Sequence, residues 1–140
     1  MHFREVTPER TLLVELAYDE SLAAELRAFA EAAGLQSAWV LGSGALRTAE
    51  LAVYDQDEFD PEAVAFDEPL EMPVFAATIG TGDETPTVSA RAVLARPSGQ
   101  ALAGRLESAT VFGGEAVVWA FEESLERTPA EETGMDRYAL

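Results

Sequence analysis

An alternation of apolar and polar residues opens the chain and predicts a β-strand over residues 11–18. The apolar positions of this segment are Leu12, Val14, Leu16 and Tyr18. The period then changes to that of a helix, which Asp19 is predicted to cap and Gly34 to end. The apolar face of this helix consists of Leu22, Leu26, Phe29, Ala30 and Ala33. No other segment of the sequence has an equally strong helical pattern.

Short strands separated by turn residues are predicted for the rest of the chain. The strands cover residues 37–41, 45–54, 72–81, 87–95, 100–111 and 115–121, and turns are expected at 82–86, 97–99 and 113–114. The acidic segment 55–69 lacks a clear period and is predicted to be a surface loop. The pattern indicates an α+β fold: a mainly antiparallel seven-stranded sheet, or a partly closed barrel, with one principal helix. Without a repeat or a low-complexity linker, residues 1–140 are expected to form a single domain.

Composition narrows the class of protein. The longest apolar runs fall well short of the roughly 20 residues that a membrane span needs, which predicts a soluble protein without membrane partners. The first residues show no apolar segment of a secretory signal, and the chain has no cysteine. Both observations favour the cytoplasm.

The charge balance is strongly acidic. Acidic residues number 26 against 9 basic ones, every basic residue is arginine, and the net charge is -17. Direct binding of duplex DNA by this chain alone is therefore not expected in ordinary salt, because phosphate contacts need a cationic surface. Acidity without lysine instead suggests a halophilic protein, in which concentrated salt screens the repulsion between carboxylates.

Several catalytic and binding motifs are excluded by the residues present. A serine or cysteine triad lacks its base, since the only histidine is His2. The glycines around Ser43 are predicted to form a turn at the end of a strand. They do not form a dinucleotide-binding loop, because Arg47 occupies the place of the third glycine and a strand follows. The acidic run that begins at Asp55 resembles a calcium loop only in part, since Phe59 stands where an oxygen ligand is required.

The order of local features resembles the plants-and-prokaryotes-conserved (PPC) domain over residues 11–121. The features are the opening strand and helix, the stretch Ala38-Trp-Val-Leu-Gly-Ser-Gly-Ala-Leu46, and the strand pair that ends in Glu115-Ala-Val-Val118. The closing segment 131–140 is also similar to that of the family. The resemblance implies an α+β fold assembled as a homotrimer, with a site near the subunit boundaries.

Many prokaryotic members of this family carry three metal-binding histidines, in a Pro-x-x-His-x-His strand and a later Gly-Gly-His-Leu turn. In this sequence the corresponding positions are Ser89, Arg91 and Arg105. A guanidinium has no lone pair to donate and repels a divalent cation, so neither a bound metal nor another cofactor is expected. Ser89 and Arg91 share one face of their strand, and Arg105 is expected to join them from the next strand.

Two interpretations of this arginine cluster remain. The arginines pair internally with Glu115 or Glu71, each of which begins an apolar strand, or they bind a small carboxylate or phosphate ligand. The abundance of carboxylates in the chain favours internal pairing. Ser89, Arg91, Arg105 and Glu115 are the candidate ligand-binding residues.

Three functions follow from the resemblance. The first is a non-catalytic, homotrimeric binding or assembly module in which arginines replace the metal. The second is a DNA-associated regulator, for which DNA contact would have to be indirect because no Arg-Gly-Arg-Pro hook is present. The third is an enzyme that uses Glu115 as a base toward an anionic substrate, and it is disfavoured because a carboxylate beside arginine is a weak base.

Adaptation to salt can be tested directly. We expect the melting temperature of the protein to rise between dilute buffer and molar potassium chloride, because salt screens the mutual repulsion of its carboxylates. Differential scanning calorimetry across a salt series measures this change. A melting temperature that stays constant or falls would contradict the prediction.

Overall fold

The computed structural model of the protein describes residues 1–58, 60–81 and 85–138. Its elements are β1 (Pro8–Leu16), α1 (Leu22–Ala33), β2 (Ser37–Asp55), β3 (Asp60–Phe66), β4 (Leu70–Gly80), β5 (Thr87–Ala95), β6 (Ala101–Phe121), β7 (Arg127–Pro129) and β8 (Asp136–Tyr138). Strands β1 to β6 form one antiparallel sheet in the order β1-β6-β5-β4-β2-β3, and β7 pairs with β8. The predicted α+β class, with an antiparallel sheet and one principal helix, is confirmed.

Two long strands close the sheet on itself. Strands β2, with 19 residues, and β6, with 21 residues, are antiparallel partners along most of their lengths. Strands β4 and β5 pair with each other and connect the first half of β2 to the first half of β6. The result is a partly closed barrel, in which β5 lies directly beside the first half of β6.

The glycine pairs in β2 and β6 lie within these strands, so the turns predicted at these places are wrong. Gly42 and Gly44 flank a register shift, and Gly44 lies opposite Gly114. A Cβ atom added to Gly44 would clash with the carbonyl oxygen of Gly113 and stand 2.7 Å from the Cα atom of Gly114. Glycine is needed here because two main chains approach closely, and not because the chain reverses.

Helix α1 begins and ends on capping residues. Ser21, and not the predicted Asp19, is the N-cap, and its hydroxyl accepts a hydrogen bond from the N–H group of Ala24. Gly34 ends the helix as predicted, with a φ angle of 64° in the left-handed region. The buried residues of the helix are Leu22, Leu26 and Ala30, and they pack into the hydrophobic core with residues of the sheet.

Alternation along β5 separates the core from the outer face of the sheet. Ala90, Ala92 and Leu94 are buried, whereas Arg91 and Val93 are exposed. Side chains at every second position of a strand point to the same side, so β5 presents one apolar face to the core and one mixed face outward. The candidate site lies on the outward face.

One region differs from the sequence-based prediction, and a second contains strands that were not predicted. Strand β3 lies within the segment 55–69 that was predicted to be a loop, and residues 60–66 pair with β2. The polar C-terminal segment contains strands β7 and β8 and buries Leu125 and Ala130. The tight turn at 97–99 is confirmed, while residues 82–84 of another predicted turn lie outside the described part. Among the described residues, no helix has the length and apolar composition needed to cross a bilayer.

The close approach of β2 and β6 gives a test of the fold. We expect Gly44→Ala to lower the free energy of unfolding by about 1–3 kcal/mol, because the new methyl group meets main-chain atoms that cannot rotate away. Gly113→Ala is the matched control, since a Cβ atom there has no neighbour within 4 Å. Urea denaturation of both variants measures the difference. Equal stabilities would show that the strands separate easily at this point.

Candidate functional site

The register of the sheet brings two arginines face to face. Arg91 on β5 and Arg105 on β6 are direct partners across the two strands, and Ser89 precedes Arg91 by two residues on the same strand. Residues i and i+2 of a strand share a face, so the three side chains project to one side of the sheet. The predicted grouping of Ser89, Arg91 and Arg105 is therefore present in the geometry.

These three residues line a cavity of about 570 Å³. Its floor is formed by residues of β2, β4, β5 and β6, and its walls include the apolar side chains of Val53, Val74 and Val93. Residues of the C-terminal segment, among them Met135, also line the cavity. A volume of this size accommodates a small organic ligand. We call this space the arginine cavity.

Arg91 and Arg105 differ in their partners. The Nε and Nη2 atoms of Arg105 lie 2.6 and 2.5 Å from a carboxylate oxygen of Glu107 on the same strand. Within the part of the chain that the structure describes, Arg91 forms no hydrogen bond and no ion pair with another side chain. Internal pairing with Glu115 or Glu71 is not seen for either arginine. The guanidinium of Arg91 therefore keeps its donors for a ligand or water.

A third arginine reaches the cavity from the C-terminal segment. Arg127 donates hydrogen bonds from Nη1 to the hydroxyl of Thr78, at 3.2 Å, and from Nη2 to the carbonyl of Asp136, at 2.9 Å. Its guanidinium also lies 4.9 Å from the ring centre of Tyr138. These acceptors are neutral, so the charge of Arg127 adds to that of the cavity. Sequence analysis missed this residue, because its position depends on the pairing of β7 with β8.

Glu115 lies apart from the arginine cavity. It pairs with Glu15 of β1 and Ser43 of β2, and it is not among the described residues that line the cavity. Glu71 is exposed at the start of β4, where it pairs with Ala95. The structure thus brings together three of the four candidate ligand-binding residues and places the fourth elsewhere on the sheet.

The acidic residues at the end of β2 form a local turn that is stabilised by the carboxylate of Asp55. One oxygen of Asp55 accepts hydrogen bonds from the main-chain N–H groups of Asp57, at 2.8 Å, and Glu58, at 3.0 Å. The hydrogen bonds from Glu58 and Asp57 hold the pKa of Asp55 below its ordinary value. This arrangement is a turn of the kind that aspartate forms locally. Phe59, the residue that argued against a calcium loop, lies outside the described residues.

The model of the Plants and Prokaryotes Conserved (PCC) domain matches residues 3–122 of this chain. The chain belongs to this family, abbreviated PPC or PCC. The resemblance inferred from the order of sequence features is confirmed, and it extends over most of the chain. No curated protein matches the sequence.

Several solved structures share the fold over all or nearly all of the chain. A metal-containing protein from Archaeoglobus fulgidus is 28% identical, with a TM-score of 0.90 and coverage of 100% of both chains. A PPC protein from Pyrococcus horikoshii is 20% identical, with a TM-score of 0.89 and coverage of 100% of this chain and 98% of the other. A protein from Bacteroides thetaiotaomicron, described as a candidate DNA-binding protein, is 23% identical, with a TM-score of 0.83 and coverage of 98% and 95%.

The arginine cavity of this PPC domain does not suit a metal ion. The positions at which the family pattern has histidines carry Ser89, Arg91 and Arg105, and the two arginines face each other. Neither guanidinium donates a lone pair, and both repel a divalent cation. Among the described residues, no three histidine, cysteine, aspartate or glutamate side chains are grouped closely enough to hold a metal. The donor set matches an anion better than a cation.

The contacts of Arg127 predict how the C-terminal hairpin is held. We expect Arg127→Ala to accelerate amide hydrogen exchange in residues 127–138 by at least about tenfold, because it removes two hydrogen bonds and the contact with Tyr138. Arg137→Ala is the control, since Arg137 lies on the same hairpin without these contacts. Mass spectrometry of exchange in both variants provides the measurement. Unchanged protection in Arg127→Ala would mean that other contacts hold the hairpin.

Proposed function

We propose that this PPC domain is a non-catalytic binding and assembly module whose arginine cavity binds a small anion. The observation that carries the proposal is the convergence of Arg91, Arg105 and Arg127 on one cavity, with Arg91 free of side-chain partners among the described residues. Among the residues that the structure describes, one carboxylate, that of Glu107, is paired with the three guanidinium groups. The cavity therefore has more positive charge than its protein partners neutralise.

An anion would relieve the repulsion within the site. Like charges directly opposite each other on adjacent strands are destabilising, and Arg91 and Arg105 are such a pair. A phosphate or carboxylate between them accepts hydrogen bonds from both forks, which arginine makes in a two-point geometry. The hydroxyl of Ser89, on the same face as Arg91, supplies a further donor. Affinity then comes from hydrogen bonds as well as from charge.

Assembly as a homotrimer is the second part of the proposal, and it rests on the family resemblance. An exposed apolar strip on the outer face of the sheet supports it: Leu13 and Leu41 are 85% and 43% exposed, and both are register partners of Val117. Leu41 pairs with Ala76 of β4, and Ala76 pairs with Arg91 of β5, so the apolar strip and Arg91 lie in one row across the sheet. A neighbouring subunit that covers the strip would border the arginine cavity.

Anion binding is tested by isothermal titration calorimetry with inorganic phosphate and with sulfate in dilute buffer. We expect saturable binding, and at least about a tenfold loss of affinity in Arg91→Ala and in Arg105→Ala, as expected for a lost charge-assisted hydrogen bond. Glu115→Gln is the matched control, because Glu115 does not line the cavity. The proposal fails if neither anion binds the unmodified protein, or if Glu115→Gln weakens binding as much as the arginine variants do.

The subunit arrangement has a separate test. We expect Leu13→Glu to shift the molar mass in solution from that of a trimer to that of a monomer, because a carboxylate in the apolar strip opposes its burial. Light scattering coupled to size-exclusion chromatography gives the mass. Glu15→Gln, on the same strand, is the control, and a monomeric unmodified protein would contradict the assembly.

DNA association is the second candidate function. The observation in its favour is that a structure with the same fold, from Bacteroides thetaiotaomicron, is described as a candidate DNA-binding protein. The net charge of -17 opposes direct contact with duplex DNA. An electrophoretic mobility shift across a salt series separates the two functions: a shift that strengthens at low salt supports phosphate contact, and no shift at any salt favours the anion-binding module.

A further inference from the structure

A second cavity adjoins the arginine cavity. Its volume is about 880 Å³, and it shares Ser89, Arg91 and Arg127 with the first. The second cavity extends from these shared residues across β4 to β2, where it is lined by Trp39. The two cavities therefore form one continuous groove that is divided by the shared residues. We call the second part the tryptophan groove.

The tryptophan groove is positively charged in a strongly acidic protein. Arg91, Arg127 and Arg137 line it together with His2, and no acidic residue is among the described residues of its lining. The whole chain, in contrast, carries 26 acidic residues and a net charge of -17. Four of the 9 arginines, the three of this groove and Arg105, face one or both cavities. A negatively charged ligand is thus favoured here over the rest of the surface.

Trp39 offers an aromatic face within reach of the arginines. Its side chain is 41% exposed, and its register partner on β4 is Thr78, which in turn pairs with Ser89. Two strand spacings separate Trp39 from Ser89, a distance of about 10 Å between main chains. Trp39, Arg91 and Arg127 border the same space, which suits a ligand with an anionic group at one end and a planar ring at the other.

Tyr138 completes this side of the groove. Its ring lies under the guanidinium of Arg127, and its hydroxyl is buried without a hydrogen-bond partner in the described structure. A ligand that enters the tryptophan groove meets a stacked arginine and tyrosine on the hairpin side and the indole of Trp39 on the sheet side. Such side chains bind planar rings by stacking, whichever hydrogen-bond donors and acceptors the ring carries.

We infer that the ligand of this site is an aromatic organic phosphate of about mononucleotide size, with its phosphate in the arginine cavity and its planar ring against Trp39. The inference rests on the proposed anion site and adds a ring-binding subsite to it. The two cavities adjoin at Arg91 and Arg127, so a phosphate in one and a ring in the other can be joined by a short sugar-like spacer. Trp39 would contact the ring from the side of the sheet, while Arg91 lines both the arginine cavity and the tryptophan groove.

The test compares adenosine 5′-monophosphate with ribose 5-phosphate, which has the same phosphate and spacer but no ring. Calorimetry on the unmodified protein is expected to show at least about tenfold tighter binding of the nucleotide, the effect of one stacked base. In Trp39→Ala the two affinities become similar, and Trp39→Phe restores most of the difference. Trp119→Ala is the matched control, because Trp119 is the register partner of Trp39 on β6 but does not line the groove.

The outcomes separate the inference from the function on which it rests. Equal binding of the nucleotide and ribose 5-phosphate overturns the ring subsite and leaves the anion site intact. No binding of either compound, or of inorganic phosphate, overturns both. Should Trp39→Ala fail to fold, the indole N–H resonance of Trp39 in the unmodified protein replaces it: the resonance must shift with the nucleotide and stay in place with ribose 5-phosphate. A shift at Trp119 alone contradicts the inference.

Discussion

The pairing register between β5 and β6 holds two positive charges opposite each other, and the chemistry of the site depends on it. The register cannot slip by one residue, because Ala90, Ala92 and Leu94 would then leave the core and Arg91 would enter it. Core packing thus holds Arg91 and Arg105 as direct partners across the two strands. For the proposed anion site, hydrophobic burial elsewhere would therefore set the main-chain geometry before any ligand arrives.

The long strands explain why the site is a cavity and not a flat surface. Strands β2 and β6 approach closely at Gly44 and Gly114, which lets β4 and β5 bridge them and curve the sheet. The C-terminal hairpin then covers part of the outer face through Arg127, and the hydroxyl of Tyr54 bonds to the carbonyl of Thr133 at 2.7 Å. The same arginine that contributes charge also holds the cover in place. Charge and enclosure are therefore linked, because Arg127 contributes to both.

Sequence patterns predicted the structure correctly where the local strand and turn signals agreed with the alternation of buried residues. Strand β5 was predicted with its observed bounds, residues 87–95, because its apolar residues alternate, and the shared face of Ser89 and Arg91 followed from that alternation. Sequence patterns gave the wrong structure at Gly42 to Gly44 and at Gly113 to Gly114. Glycine is typical both of turns and of places where two main chains approach closely, and the sequence does not distinguish the two.

Strand β3 and the hairpin were missed for a different reason. Both are exposed or polar, so their pairing with other strands leaves no period in the sequence: Ala63, Val64 and Ala65 are all exposed in β3, although every one of them pairs with β2. Long-range pairing of this kind decides where Arg127 and Trp39 end up relative to Arg91. The predicted strands therefore located Arg91 and Arg105, but only the closed sheet reveals Arg127 and the tryptophan groove.

Replacing histidines by arginines changes how a site of this kind responds to its surroundings. An imidazole site loses its metal when the ligands are protonated, whereas guanidinium groups keep their charge throughout the physiological pH range. Salt is the variable that remains, because chloride competes for the arginines and screening shortens the reach of their charge to a few ångströms in molar salt. Selectivity for the proposed ligand under those conditions would have to come from contacts that depend less on charge alone, namely the two-point geometry of hydrogen bonds at Arg91 and Arg105 and apolar contact with a ring. The predicted adaptation to high salt would thus give this acidic protein a physical reason to combine a guanidinium pair with an exposed indole in one groove.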